Sequence, residues 1–206
     1  MKRTLLAIIL ACCTLALTAQ EAIRVNYKGA SPTISDLAWA YLSADNSEDD
    51  EEGYFDESFN AVKQAWIQHR EGLPLDEEDK LTIDEKNGYV LYEWTSEENK
   101  LKIEMCYWNE ADRMHKLFAY NVACFMNDKY SPGQFDGLVF FRYDNASKEM
   151  TYCEAPGFDV EYGTEDGAWV SYALPSAGKD ITVTYWYKND ETKQKTLKWD
   201  GNKFSF

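Results

Sequence analysis

The chain of 206 residues carries 36 acidic and 21 basic side chains, a formal net charge of −15, and 15% of it is aromatic. Nucleic acid and anionic lipid surfaces need a basic footprint, so neither is an expected partner. The charge by itself argues for solubility.

The opening "MKRTLLAIILACCTLALTAQ" has a basic start at Lys2 and Arg3, an apolar run from Leu5 to Leu17, and the small Ala19 before Gln20. That is the order of a secretory signal peptide, and the run is too short to span a bilayer comfortably. Cleavage after Ala19 is the expectation, making residues 1–19 the signal peptide and the protein secreted, periplasmic or surface-associated. The rival reading is a lipoprotein signal with Cys12 or Cys13 as the lipidated residue. It fits less well, because Leu10 stands where a small residue is usual for Cys12, and Cys12 stands where Gly or Ala is usual for Cys13. Cleavage would remove two cations and no carboxylate, moving the net charge from −15 to −17. Residues 20–206 contain no Pro-rich or Gly/Ser linker, no repeat and no further bilayer-length apolar stretch, so one domain, monomeric, is expected.

Two helices are predicted first, over about residues 31–72. "SPTISDLAWAYL" offers Ser31 as N-cap, Pro32 at the first helical position and Asp36 in the first turn. Ile34, Leu37, Ala38, Tyr41 and Leu42 form one apolar stripe. "DESFNAVKQAWIQHREG" gives the second helix, with Asp56 as cap, Phe59, Val62 and Trp66 as stripe, and Gly72 with Pro74 as the stop.

Between them, residues 45–59 hold eight carboxylates in fifteen positions. An EF-hand loop requires Gly sixth and Glu twelfth, and neither register beginning at Asp45 or Glu48 supplies both. Residues 45–53 therefore read as a hydrated, self-repelling loop rather than a metal site.

From about residue 80 to 206 the apolar period changes to two. Asn87-Gly88 joins two strand-like runs, and "YVLYEWTSEENKLKIEMCYW" continues the meander. "HKLFAYNVACFM" alternates Phe118, Tyr120, Val122, Cys124 and Met126 before a turn at Asn127-Asp128. "LVFFRYDNASKEMTYCE", "AWVSYAL", "DITVTYWYK", "KQKTLKW" and "KFSF" complete about ten strands. The expected class is α+β, two N-terminal helices packed on an antiparallel β meander that is sandwich-like or strongly curved.

Chemistry-bearing patterns are scarce. His69 sits in the last turn of the second helix, where a cation suits the helix dipole, and His115 lies in the polar link "NEADRMHK". There is no H-E-x-x-H, no G-x-S-x-G before a helix and no phosphate-cradling Gly-rich loop, so no catalytic residue, metal ligand set or cofactor is assigned. Cys106, Cys124 and Cys153 are odd in number and lack zinc-type spacing. They read as small buried hydrophobes, with one disulfide as the alternative. With 36 carboxylates, some pair will always meet glycosidase spacing, so that criterion discriminates nothing.

The aromatic residues are the least ordinary feature. Tyr89, Tyr92 and Trp94, then Trp108, then Tyr185, Trp186 and Tyr187 are expected on neighbouring strands. Adjacent strand residues face opposite sides, so one set is core and the other offers a stacking platform. These seven are the candidate ligand-binding residues. The closing stretch "SYALPSAGKDITVTYWYKNDETKQKTLKWDGNKFSF", with "GQFDGLVFFRYDNASKEM" before it, resembles uncharacterised exported proteins of gut-dwelling bacteria over roughly residues 115–206. The resemblance implies an extracytoplasmic, mainly β protein and brings no activity with it. The expected function is a binding module for a glycan or protein; the alternatives are a hydrolase-like enzyme using acidic residues and a structural part of an envelope assembly.

Overall fold

The computed structural model describes residues 22–44, 56–133, 136–160 and 167–206. The expected signal peptide at 1–19 and the acidic loop at 45–53 lie outside the described residues. Within them run β1 (Ile23–Arg24), α1 (Ile34–Ser43), α2 (Asp56–Glu71), β2 (Asp79–Asp84), β3 (Tyr89–Thr95), β4 (Asn99–Asn109) and β5 (His115–Met126). There follow β6 (Lys129–Tyr130), β7 (Gly137–Asp144), β8 (Glu149–Cys153), β9 (Trp169–Ala173), β10 (Ile181–Trp186), β11 (Thr192–Trp199) and β12 (Phe204–Ser205). The chain is α+β and mostly antiparallel sheet. Among the described residues, no helix is long and apolar enough to cross a membrane.

Helix α1 starts two residues later than its sequence suggests. Thr33, not Ser31, is the N-cap: its hydroxyl accepts the Asp36 N–H and the Asp36 carboxylate accepts the Thr33 N–H, a reciprocal box that Ser31 cannot form. Helix α2 takes Asp56 as its first residue rather than its cap. Gly72 ends it at φ 70°, and the Leu73 N–H returns to the Gln68 carbonyl at 2.9 Å.

The strands form two sheets. The long one has the order β1-β8-β7-β5-β4-β3-β2, with β6 added to β5; the short one is a plain meander, β12-β11-β10-β9. Tight turns do much of the local work. Asp84 accepts the Asn87 N–H to shape the β2–β3 turn, and Asn127 and Asp128, at φ 50° and 61°, close β5 onto β6.

Buried apolar residues fall into two clusters, on opposite faces of the long sheet. On β4, Ile103 and Met105 belong to one and Cys106 and Trp108 to the other, as strand alternation dictates. The first cluster joins Ile34, Leu37, Leu42, Val62 and Trp66 to Val90, Tyr92 and Tyr120, with the Tyr41 ring 4.8 Å from that of Tyr120. The second fills the space between the sheets with Trp108, Phe140, Ile181, Val183, Leu197 and Phe204. β5 serves both clusters, which is why it reads as nearly continuous apolar sequence.

Gly157 fixes how the last strand closes this second cluster. The Phe204 N–H donates to the Pro156 carbonyl at 2.8 Å, and a Cβ on Gly157, at φ 69°, would collide with the Phe204 carbonyl oxygen. Gly72 has nearly the same φ but open space around it. Gly72→Ala is therefore expected to cost about 1–2 kcal/mol from backbone strain alone, and Gly157→Ala clearly more. Urea unfolding of the two variants checks the difference, and equal costs would contradict the close approach.

Candidate functional site

The seven aromatic residues singled out in the sequence do not gather on one surface. Tyr89, Trp108 and Tyr185 are buried between the two sheets, and Tyr92 is buried in the first cluster. Trp94, 37% exposed, shares the strand face of Tyr92. Strands β3 and β4 are neighbours as expected, but β10 is not beside them: it lies in the other sheet, paired with β9 and β11. Only Trp94, Trp186 and Tyr187 keep substantial accessible surface. Tyr187 lines a shallow depression of about 610 Å³ on the β10–β11 turn, beside Lys188 and Asn189.

Trp186 has company the sequence did not suggest. Trp169 on β9 is its direct cross-strand partner and is 60% exposed, the most exposed large apolar side chain among the described residues. The Phe125 and Tyr130 rings, from β5 and β6, stand 6.2 and 6.0 Å from the Trp186 ring. The Trp186 indole N–H donates to the Ser171 hydroxyl at 2.8 Å, which fixes the ring over its neighbour strand. The alternation in "AWVSYAL" already separates Trp169 and Ser171 from Val170 and Tyr172; what it lacks is the pairing partner.

Registers across the short sheet set out the rest of this outer face. Val183 and Tyr185 point into the intersheet core, so Thr182, Thr184 and Trp186 point outward. Trp169, Trp186 and Thr192 form one cross-strand row, Ser171, Thr184 and Gln194 the next, and Ala173, Thr182 and Thr196 the third. Gln194 donates to the Thr184 hydroxyl at 3.3 Å. In a chain with 28% charged residues, these three rows carry no charge; Ser171 and Thr184 in the middle row are buried, while Thr192, Gln194 and Thr196 on β11 are exposed.

Among the described residues, the most buried carboxylate lies between the sheets. Glu104, 1% exposed, accepts from the Tyr89 hydroxyl at 2.6 Å, the Asn121 amide at 3.2 Å and the Leu174 N–H at 3.3 Å, and pairs with Lys102 at 2.9 Å. Burial, with the Glu104 charge next, holds the Tyr89 phenol far above its ordinary range, so it stays a donor. Four donors satisfy this carboxylate, and it ties β3, β4 and β5 of one sheet to the β9 end of the other. Its chemistry is that of a fastener; a catalytic acid or base needs an approach for substrate.

A second polar group surrounds His115. Its Nδ1 sits 2.6 Å from Asp112, its Nε2 3.5 Å from Asp144, and Arg142 grips both oxygens of Glu110 at 2.6 and 2.7 Å. Glu110, Asp112 and His115 each offer a ligand atom within 4.8 Å of the others. A metal ion there would have to break the His115 Nδ1–Asp112 contact and compete with the Arg142 fork for Glu110. The His115 ring, followed by the Met114 N–H, holds the Asp112 carboxyl below its usual range.

Cys106, Cys124 and Cys153 are all free thiols. Burial raises all three: Cys106 strongly, Cys124 to about 12 with help from the Asp136 carboxylate, and Cys153 to about 11. A nucleophilic cysteine needs the opposite shift. Titration with a thiol reagent at neutral pH is expected to be slow on the native protein and to find three thiols after denaturation without reductant. A count of one would instead indicate an internal disulfide.

The chain matches no family model, and no curated protein or solved structure is significantly similar to it. The geometry alone carries the functional argument. What the fold defines is an antiparallel two-sheet α+β protein with uncharged cross-strand rows on the outer face of its short sheet.

Proposed function

We propose that this protein is an extracytoplasmic binding module in which the helices back one face of the long sheet and the short sheet presents a glycan-binding surface. The observation that carries the reading is the exposed Trp169 paired with the half-buried Trp186, beside the exposed and uncharged Thr192, Gln194 and Thr196 of β11. Sugar rings offer C–H faces that stack on indoles and hydroxyls that exchange hydrogen bonds with Thr and Gln. A neutral face also avoids the carboxylates that cover much of this chain. Binding, not hydrolysis, is the favoured role, because the best-buried carboxylate is already saturated by protein donors.

Export ahead of Gln20 fits this role, since extracellular glycans lie outside the cytoplasm. A glycan array probed with the chain lacking residues 1–19 tests the proposal. Binding to neutral oligosaccharides is the expected result. Binding only to proteins in a parallel pull-down would replace the glycan reading with a protein-partner one.

A further inference from the structure

A second depression, of about 430 Å³, opens at the β4–β5 turn, away from the tryptophan face. It is lined by Ser31, Asn109, Arg113, His115, Lys116 and Asn145, with Ala30, and no carboxylate of the described residues lines it. In so acidic a chain that composition is unusual.

Lys116 is the key residue. It is 7% exposed, yet its ammonium has one hydrogen bond, to Asn109 Oδ1 at 2.6 Å, and lies 4.3 Å from the centre of the Tyr107 ring. Among the described residues no carboxylate stands within salt-bridge distance of it. A buried charge without a counter-ion is costly, and burial accordingly lowers the Lys116 pKa. An ammonium has three N–H groups, so the protein leaves donor capacity unused. Asn109, its Oδ1 taken, retains a free amide N–H among the described residues.

Arg113 adds a second cation at the rim. Its backbone is left-handed at φ 59°, a conformation that glycine or asparagine adopts more easily. The Asn145 amide donates to the Arg113 carbonyl at 3.1 Å and the Arg113 N–H to the Glu110 carbonyl at 3.0 Å, which hold that turn. The nearby carboxylates are already engaged: Glu110 by Arg142, Asp112 and Asp144 by His115.

We propose that this pocket binds the oxyanion group of a small ligand, a carboxylate, phosphate or sulfate, with the Lys116 ammonium as its principal counter-charge and Arg113 as its second. The inference is independent of the glycan reading, since it uses none of the short-sheet residues.

Calorimetric titration with inorganic phosphate and with acetate, at constant ionic strength in chloride, tests it. Wild type is expected to bind at least one of them saturably, and Lys116→Met, which keeps the stem over Tyr107, to bind at least tenfold more weakly. Arg113→Gly is expected to weaken binding without unfolding the protein. Phosphate without acetate would assign phosphate- or sulfate-bearing ligands, and acetate without phosphate would assign carboxylates. Absence of saturable binding, or equal binding by Lys116→Met, overturns the proposal. Should Lys116→Met not fold, the Lys116 Cε resonance of the wild type decides: a saturable shift with either anion supports the site, and an unmoved one overturns it.

Discussion

Replacing Glu104 by alanine is expected to destabilise the fold by about 3–5 kcal/mol, measured by urea unfolding. The cost arises less from the carboxylate than from what it leaves behind. The Tyr89 hydroxyl, the Asn121 amide and the Leu174 N–H would lose an acceptor between the sheets, and Lys102 would lose its partner. A double-mutant cycle separates the two effects. Tyr89→Phe in the wild type should cost about 1–3 kcal/mol, because it strips one donor from a buried charge. In a Glu104→Leu background the same change should be close to neutral, since the hydroxyl has lost its acceptor. A Glu104→Ala cost below about 1 kcal/mol would mean that water reaches this carboxylate and that it does not fasten the sheets.

The second large effect concerns binding. Trp169→Ala is expected to weaken glycan binding by about 2 kcal/mol or more, roughly thirtyfold, while leaving stability within about 0.5 kcal/mol. Its ring is mostly in solvent, so the folded state loses little when it goes. Trp186→Ala should weaken binding as much and also cost stability, because its ring packs near Phe125 and Tyr130 and its N–H bonds Ser171. The contrast distinguishes a ligand platform from a packing cluster. If Trp169→Ala destabilises the protein as much as Trp186→Ala does, this patch is structural.

Local features of the fold were legible because local physics sets them. The stripe from Ile34 to Leu42, the Gly72 stop and the turn at Asn127-Asp128 follow from periodicity and φ preference, and they stand where the sequence suggests. The α1 cap was misplaced because Ser31 and Thr33 are both good caps. Only the carboxylate three residues beyond Thr33 decides between them, by closing a reciprocal box.

Pairing was not legible. β1 joins β8, which lies more than 120 residues later, and β7 pairs with β5 across the short β6. No period-two pattern records such partners. The division of the aromatic residues between core and surface was hidden for the same reason. Without the division into two sheets, Tyr185 and Tyr89 could not be recognised as core. Trp169 stayed invisible until β9 was placed against β10. Glu104 was one of 36 acidic residues, and only its burial and four donors single it out. Lys116 was hidden in a polar link whose composition resembles any solvated turn.

The central claim is that the outer face of the short sheet is the ligand surface. Its most direct test follows the seven tryptophan indole N–H resonances during titration with a neutral oligosaccharide selected on the array. The Trp169 and Trp186 signals are predicted to move saturably with one shared affinity. Those of the buried Trp66, Trp108 and Trp199 should stay still. Saturable binding that shifts Trp94 while Trp169 and Trp186 remain unmoved, or no binding at all, would contradict the account.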